Sequence, residues 1–232
     1  TYLLINGKGV GEFTTGVPIA KVGVVGGDAK LDTAQKKFGT ASLELDGTAD
    51  NLTYPTSTDF GFGTTNWAAE CFIRPSSVTG TQYIFDFRNA SATDTAPTVY
   101  LDGTALHFGV GNTSQATGGT LATGTWYHIA VARSGGITKL FLNGTQVGST
   151  YTDTNNYGTT KPLVVGSDYN SGANAFAGHI DEVRISKAAA RYTAIFTAPT
   201  SAFGNDLNTV LLIHFDGTDG ATTITDSSGG VK

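Results

Sequence analysis

The chain is short of charge, cysteine, methionine and long apolar runs. Only 14% of its 232 residues are charged, and 14 Lys and Arg against 19 Asp and Glu leave a formal net charge of −5. A nucleic-acid ligand calls for a basic stripe to neutralise phosphates, and none occurs, so nucleic acid is not the expected partner. The single cysteine, Cys71, excludes an internal disulfide framework. Within Glu70-Cys71-Phe72-Ile73-Arg74 it reads as a small buried hydrophobe rather than a nucleophile. No apolar run approaches the ~18 residues of a membrane-spanning helix, and no signal peptide is recognisable, so membrane insertion is not expected. The chain opens at Thr1 rather than Met, which suggests processing or excision from a longer polypeptide; the missing signal is therefore silent about export.

What is present is glycine, at 31 residues, with abundant threonine, a composition that suits a turn-rich sheet protein. A chain of this length fits one all-β domain spanning residues 1–232. Strands are expected at Tyr2–Ile5 (ended by Asn6-Gly7), Val22–Val25, Ala41–Leu45, Trp67–Arg74, Tyr83–Phe87, Thr98–Leu101, Ala105–Val110, Trp126–Arg133, Ile137–Leu142 and Leu163–Gly166. Alternation in Ala41-Ser42-Leu43-Glu44-Leu45 buries Ala41, Leu43 and Leu45 on one face. An apolar-Asp/Asn-Gly-Thr phrase recurs at Leu45–Thr48, Leu101–Thr104, Leu142–Thr145 and Phe215–Thr218. Asp-Gly and Asn-Gly supply the positive φ that tight hairpins require, which points to antiparallel pairing. Residues 209–232 read either as a closing strand of this domain or as the start of a following repeat. Tyr2-Leu3-Leu4-Ile5 resembles Val210-Leu211-Leu212-Ile213, which suggests a tandem origin.

The chain is organised around Phe176–Tyr192. Extended alternation places Ile180, Glu182 and Arg184 on one face, and Asp181, Val183 and Ile185 on the other. Gly178 permits a bulge, and Lys187–Arg191 reads as one or two helical turns. The phrase Gly178-His179-Ile180-Asp181-Glu182-Val183-Arg184-Ile185 resembles the closing core strand of laminin-G-like domains of the concanavalin A-like jelly-roll superfamily. So do the Ala41–Gly47 phrase, the Trp126-x-His128-x-Ala130 strand and the Leu-x-x-Asn143-Gly144 type of turn. The longer string through Phe203 and Leu211–Gly220 is similar to modules of bacteriophage virion proteins. The resemblance implies a β-sandwich of two antiparallel sheets and a non-enzymatic virion surface module, as capsid decoration or tail-associated protein, that binds glycans. Its alternatives are a purely structural virion assembly protein contacting other virion chains, and a secreted bacterial adhesin or carbohydrate-binding module.

Retaining hydrolases of the superfamily carry alternating carboxylates on one strand face, about 5 Å apart across the scissile bond. The nearest match, Glu44-Leu45-Asp46, lacks the third carboxylate, and the consecutive Asp181 and Glu182 are expected to point to opposite faces. The four histidines, His107, His128, His179 and His214, accompany no Gly-x-Ser-x-Gly elbow and no zinc-ligand spacing. Calcium is the metal expected, since loop carboxylates, amides and carbonyls are hard oxygen donors. As the resemblance implies, its ligands would come from two loops: Asn89 and Asp94 of the first, with Asp86 on the strand before it, and Asp168 and Asn170 of the second. For glycans, Tyr169, Tyr151 and Tyr157 are candidate stacking platforms, with Asn170 fixing hydroxyls.

Overall fold

The computed structural model describes residues 20–89, 91–170 and 172–229, together with the backbone of strands 2–6 and 9–13. Two antiparallel sheets face each other, and no helix occurs among the described residues. One sheet has seven strands in the order β11 (Thr113–Gly118), β10 (Ala105–Val110), β9 (Pro97–Asp102), β8 (Thr81–Asp86), β15 (Lys161–Val165), β6 (Asn51–Ser57) and β3 (Val24–Gly26). The other runs β14 (Thr145–Thr152), β13 (Ile137–Leu142), β12 (Tyr127–Ser134), β7 (Trp67–Pro75), β16 (Ala177–Lys187), β5 (Ser42–Asp46) and β4 (Lys30–Asp32). Its eighth strand, β17 (Thr209–Ile213), pairs with β16 beyond the end of β5. Two N-terminal strands, β1 (Tyr2–Asn6) and β2 (Gly9–Phe13), pair with each other and join neither sheet. The expected Asn6-Gly7 turn lies partly outside the described residues.

The strand alternation works as physics requires. Trp67, Ala69, Cys71 and Ile73 of β7 face the intersheet core, while Ala68, Glu70 and Phe72 face outward. Trp67 stacks on Phe62 with ring centroids 4.8 Å apart, and Phe87, Phe108 and Tyr157 close around them. Each such ring removed from water contributes about 2 kcal/mol. Cys71 is fully buried in this layer, and burial pushes its thiol well up.

Three expectations are corrected. Ile180 does not face away from Val183 and Ile185; all three lie in the core. The reason is a bulge, for the β16–β7 register shifts between Asp181 and Arg184 while Glu182 adopts φ 53°. No helical turn forms over Lys187–Arg191, where the chain leaves β16 as irregular backbone. Finally, the four Gly-Thr turns are not equivalent. Asn143 and Gly144 both have positive φ, the type I′ pattern, whereas only Gly103 does so between β9 and β10. Leu45–Thr48 instead carries the chain from β5 in one sheet to β6 in the other.

Strands β2, β4, β6, β11 and β14 escaped the sequence reading. Of these, Thr-Ser-Gln-Ala-Thr-Gly and Thr-Gln-Val-Gly-Ser-Thr-Tyr-Thr carry no apolar period, since both are sheet-edge strands that expose half or more of their side chains.

Candidate functional site

At one end of the sandwich the β5–β6 and β7–β8 connections and the loop before β16 leave an open groove of about 610 Å³. Asp46, Thr48, Ser77, Thr79, Gln82 and Asn174 line it. Its geometry is fixed from beneath. Gln82 is buried; its amide nitrogen donates to the carbonyls of Ser77 and Thr79, and its oxygen accepts from the Ala177 amide. The Asp46 carboxylate accepts from Thr48 N at 2.6 Å, and Asn174 donates to Asp168 at 2.9 Å. Among the described lining residues there is no Lys or Arg. The sequence reading missed Ser77, Thr79, Gln82 and Asn174; the signal was the polar run that follows Pro75.

Of the five residues expected to bind calcium, Asp86 and Asp94 are engaged by the chain's own cations, and Asn89, Asp168 and Asn170 take part in amide hydrogen bonds. Asp86 is fully buried and chelates Arg88, whose Nε lies 3.0 Å from both carboxylate oxygens. That guanidinium lies over the Tyr83 ring at 5.0 Å and the Tyr169 ring at 4.7 Å. Tyr169 N donates to the same Asp86 carboxylate at 2.9 Å. Asp94 holds the Lys161 ammonium at 2.5 Å and accepts from the Asn89 amide. Asp168 accepts from the Asn170 amide and from Asn174. Arg88 and Lys161 thus supply the positive charge at Asp86 and Asp94, whereas Asp168 meets amide donors.

The expected sugar platforms divide. Tyr157 is fully buried against Trp67 and donates its hydroxyl to Asp153 at 2.7 Å, so it is a packing residue and not a platform. Tyr151 packs its ring toward Phe108 and receives a hydrogen bond from Asn155. Tyr169 is half-buried over Arg88, and Asn170 is exposed. None of these four lines the groove.

The middle of the outward face of the eight-stranded sheet is covered. Residues 188–208 cross it, with Tyr192 and Phe196 stacked at 3.6 Å over Ala130, Ala132 and Phe141, and with Phe203 against Phe72 and Leu212. Beneath this strap lies the fully buried Glu70. It accepts from Arg184 at 2.6 and 2.8 Å and from Tyr192 Oη at 2.7 Å, and His128 Nε2 lies 3.1 Å away. Burial pushes its carboxyl up, but the His128 hydrogen bond and the Arg184 charge outweigh that and hold it below the usual range. At the bulge itself, Glu182 accepts from Phe203 N and from His214. Asp181 accepts from the Lys37 and Phe38 amides, and burial raises its carboxyl to about 7.

Two further groupings place ligand atoms within 4.8 Å of one another, Asp32 with Glu44 and His179, and Asp28 with Asp46 and Asp50. His179 Nε2 meets Asp32 at 2.9 Å, and Lys30 meets Glu44 at 3.5 Å. Asp50 accepts from the Asp28 and Asp46 amides. His107 Nδ1 lies 3.0 Å from Ser114 Oγ, but no carboxylate hydrogen-bonds to this ring among the described residues, so no Ser-His-Asp relay is built.

The two packed antiparallel sheets and their loop rim define a lectin-type jelly roll. Residues 46–195 match Laminin_G_3, the concanavalin A-like lectin/glucanases superfamily, and the chain belongs to that superfamily. No curated protein matches its sequence. Among solved structures it is similar to the enzymatically active domain of tailspike protein 2 of bacteriophage CBA120. That match has a TM-score of 0.61 at 16% identity, over 86% of this chain and 34% of that one. It is also similar to domain 4 of AbnA, a GH43 extracellular arabinanase from Geobacillus stearothermophilus, in complex with arabinotriose. There the TM-score is 0.53 at 20% identity, covering 70% and 81% of the two chains. A Trypanosoma rangeli sialidase mutant displaying trans-sialidase activity matches at a TM-score of 0.51 and 12% identity, over 70% of this chain and 26% of that one. At these identities the likeness is one of fold.

Proposed function

We propose that the chain is a non-enzymatic glycan-binding module on a bacteriophage particle, as capsid decoration or tail-associated protein, and that the rim groove is its sugar site. The groove itself carries this reading. It is open to solvent and lined by hydroxyls, amides and one carboxylate, the groups that exchange hydrogen bonds with sugar hydroxyls. With no cation among its described lining residues, it suits neutral sugars better than sialylated or uronic ones. The tailspike and arabinanase folds support a glycan role, and the resemblance to virion modules supports display on a particle. The absence of catalysis is supported by Glu70, Asp181 and Glu182, each held by internal donors. The second reading is a purely structural assembly protein, in which exposed Val22, Val24, Ile195 and Leu207 would meet other chains.

The test is a glycan array probed with the wild-type chain and with Thr79→Arg, an exposed position where a long cation fills the groove. Binding of neutral oligosaccharides, weakened at least tenfold by Thr79→Arg, is the expected result. Equal binding by both proteins would move the site elsewhere. Silence of both would favour the assembly reading.

A further inference from the structure

The slot beside β16 that β17 fills has a second candidate occupant in the same chain. Thr209-Val210-Leu211-Leu212-Ile213 differs from Thr1-Tyr2-Leu3-Leu4-Ile5 at one position only, Val210 against Tyr2. The shared residues are the ones the slot selects. Leu211 and Ile213 are buried in the intersheet core, and Leu212 is buried with Phe72 and Phe203 on the other face. The differing residue, Val210, is the least buried of the apolar four, at 8%. Its side chain packs at the margin of the core, and its hydrogen bonds are through the backbone carbonyl, to Lys21 Nζ and Ser228 Oγ, which any residue supplies.

The path after the strand gives a second, independent match. From Ile213 the chain runs 16 positions to Gly229, where a methyl group would meet Ala20 N and Cβ at 3.0 Å. Lys21 N donates to Asp226 at 2.7 Å at the same place. From Ile5 the chain runs 15 positions to Ala20 itself. A strand at residues 2–5 lying in the slot would therefore reach Ala20 along a path one residue shorter, with Ala20 already standing beside the point where the longer path ends.

We propose that the slot beside β16 accepts either of two strands of this chain, Val210–Ile213 or the N-terminal Tyr2–Ile5, one displacing the other. β1 is free of both large sheets when β17 is in place, as an exchange requires. When the N-terminal strand enters, residues 209–229 are released as an intact strand with its turn.

Melting of four full-length chains tests this: wild type, Leu4→Asp, Leu211→Asp and the double variant. Leu4→Asp alone is expected to leave Tm unchanged. Leu211→Asp alone is expected to lower Tm by a few degrees with a cooperative transition retained, because the N-terminal strand takes the slot. The double variant then loses the transition. If Leu211→Asp alone loses it as fully as the double variant, the proposal is overturned. A second readout uses Ile5→Cys with Val183→Cys in a Leu211→Asp, Cys71→Ala chain. Val183 faces Ile213 in the present register, so the exchanged strand brings residue 5 opposite it. An intramolecular disulfide is expected; its absence under oxidation overturns the proposal.

Discussion

The rim groove and the outward face of the eight-stranded sheet handle polar groups in opposite ways. The groove leaves hydroxyls and amides in solvent on loops that Gln82 braces from below. The sheet face collects Glu70, Arg184 and His128 and then seals them under Tyr192, Phe196 and Phe203. The carboxylates of this sheet fasten the strap, Glu70 through Tyr192 Oη and Glu182 through Phe203 N. The groove's polar groups stay open to solvent, with Asp46 its one carboxylate, while the ion pairs of the sheet face are buried.

The sharpest way to break this contrast is Glu70→Ala. It leaves Arg184 and His128 buried without their acceptor, and a loss of about 3–5 kcal/mol is expected in urea unfolding. A loss below about 1 kcal/mol would show that the network is solvated and the face open. Phe203→Ala removes the ring that covers both Phe72 and His128, and about 3 kcal/mol is expected from the same measurement. Tyr192→Phe deletes a single hydrogen bond to Glu70, for an expected loss of about 1 kcal/mol or slightly more.

pH sharpens the comparison further. The Glu182 hydrogen bond raises His214, so its contribution is complete below about pH 6.5 and is lost as pH rises through its folded value. Asp181 has the same sign. Burial raises it to about 7, so the folded state holds that proton more tightly, and stability falls as pH climbs from about 4 toward 7. Glu70 and Asp32 are lowered, so their contributions are already complete by about pH 5 and do not change above it. Unfolding midpoints should therefore decrease from pH 5 to 8, and Asp181→Asn should flatten that slope. A rising slope would contradict the assigned partners. The smallest effect is expected from chelation: EDTA should shift neither Tm nor glycan binding, because Arg88 and Lys161 already balance Asp86 and Asp94.

The strands with apolar alternation were legible because burial imposes period two on them; Trp67–Pro75 is an example. The bulge at Glu182 was not, since it inserts one residue and turns the rest of β16 over, which alternation alone cannot express. The Tyr169 amide, in the second candidate loop, hydrogen-bonds to Asp86 at the end of β8. The cation between them was not legible, because Arg88 sits two residues from Asp86 and nothing in a linear sequence shows a side chain folding back onto its own strand. Tyr157 failed for a related reason: its polar neighbours Asp153 and Asn155 suggested a surface loop, but they turn inward to satisfy its hydroxyl and Arg133.

The lone Cys71 has a practical consequence. Its sulfur lies in the intersheet layer next to Glu70, and its raised thiol leaves almost no thiolate to react while the sandwich is closed. A thiol-reactive dye therefore acts as a stopwatch for separation of the two sheets. The wild-type chain carries one built-in reporter, with no engineered label and no second site to confuse the signal.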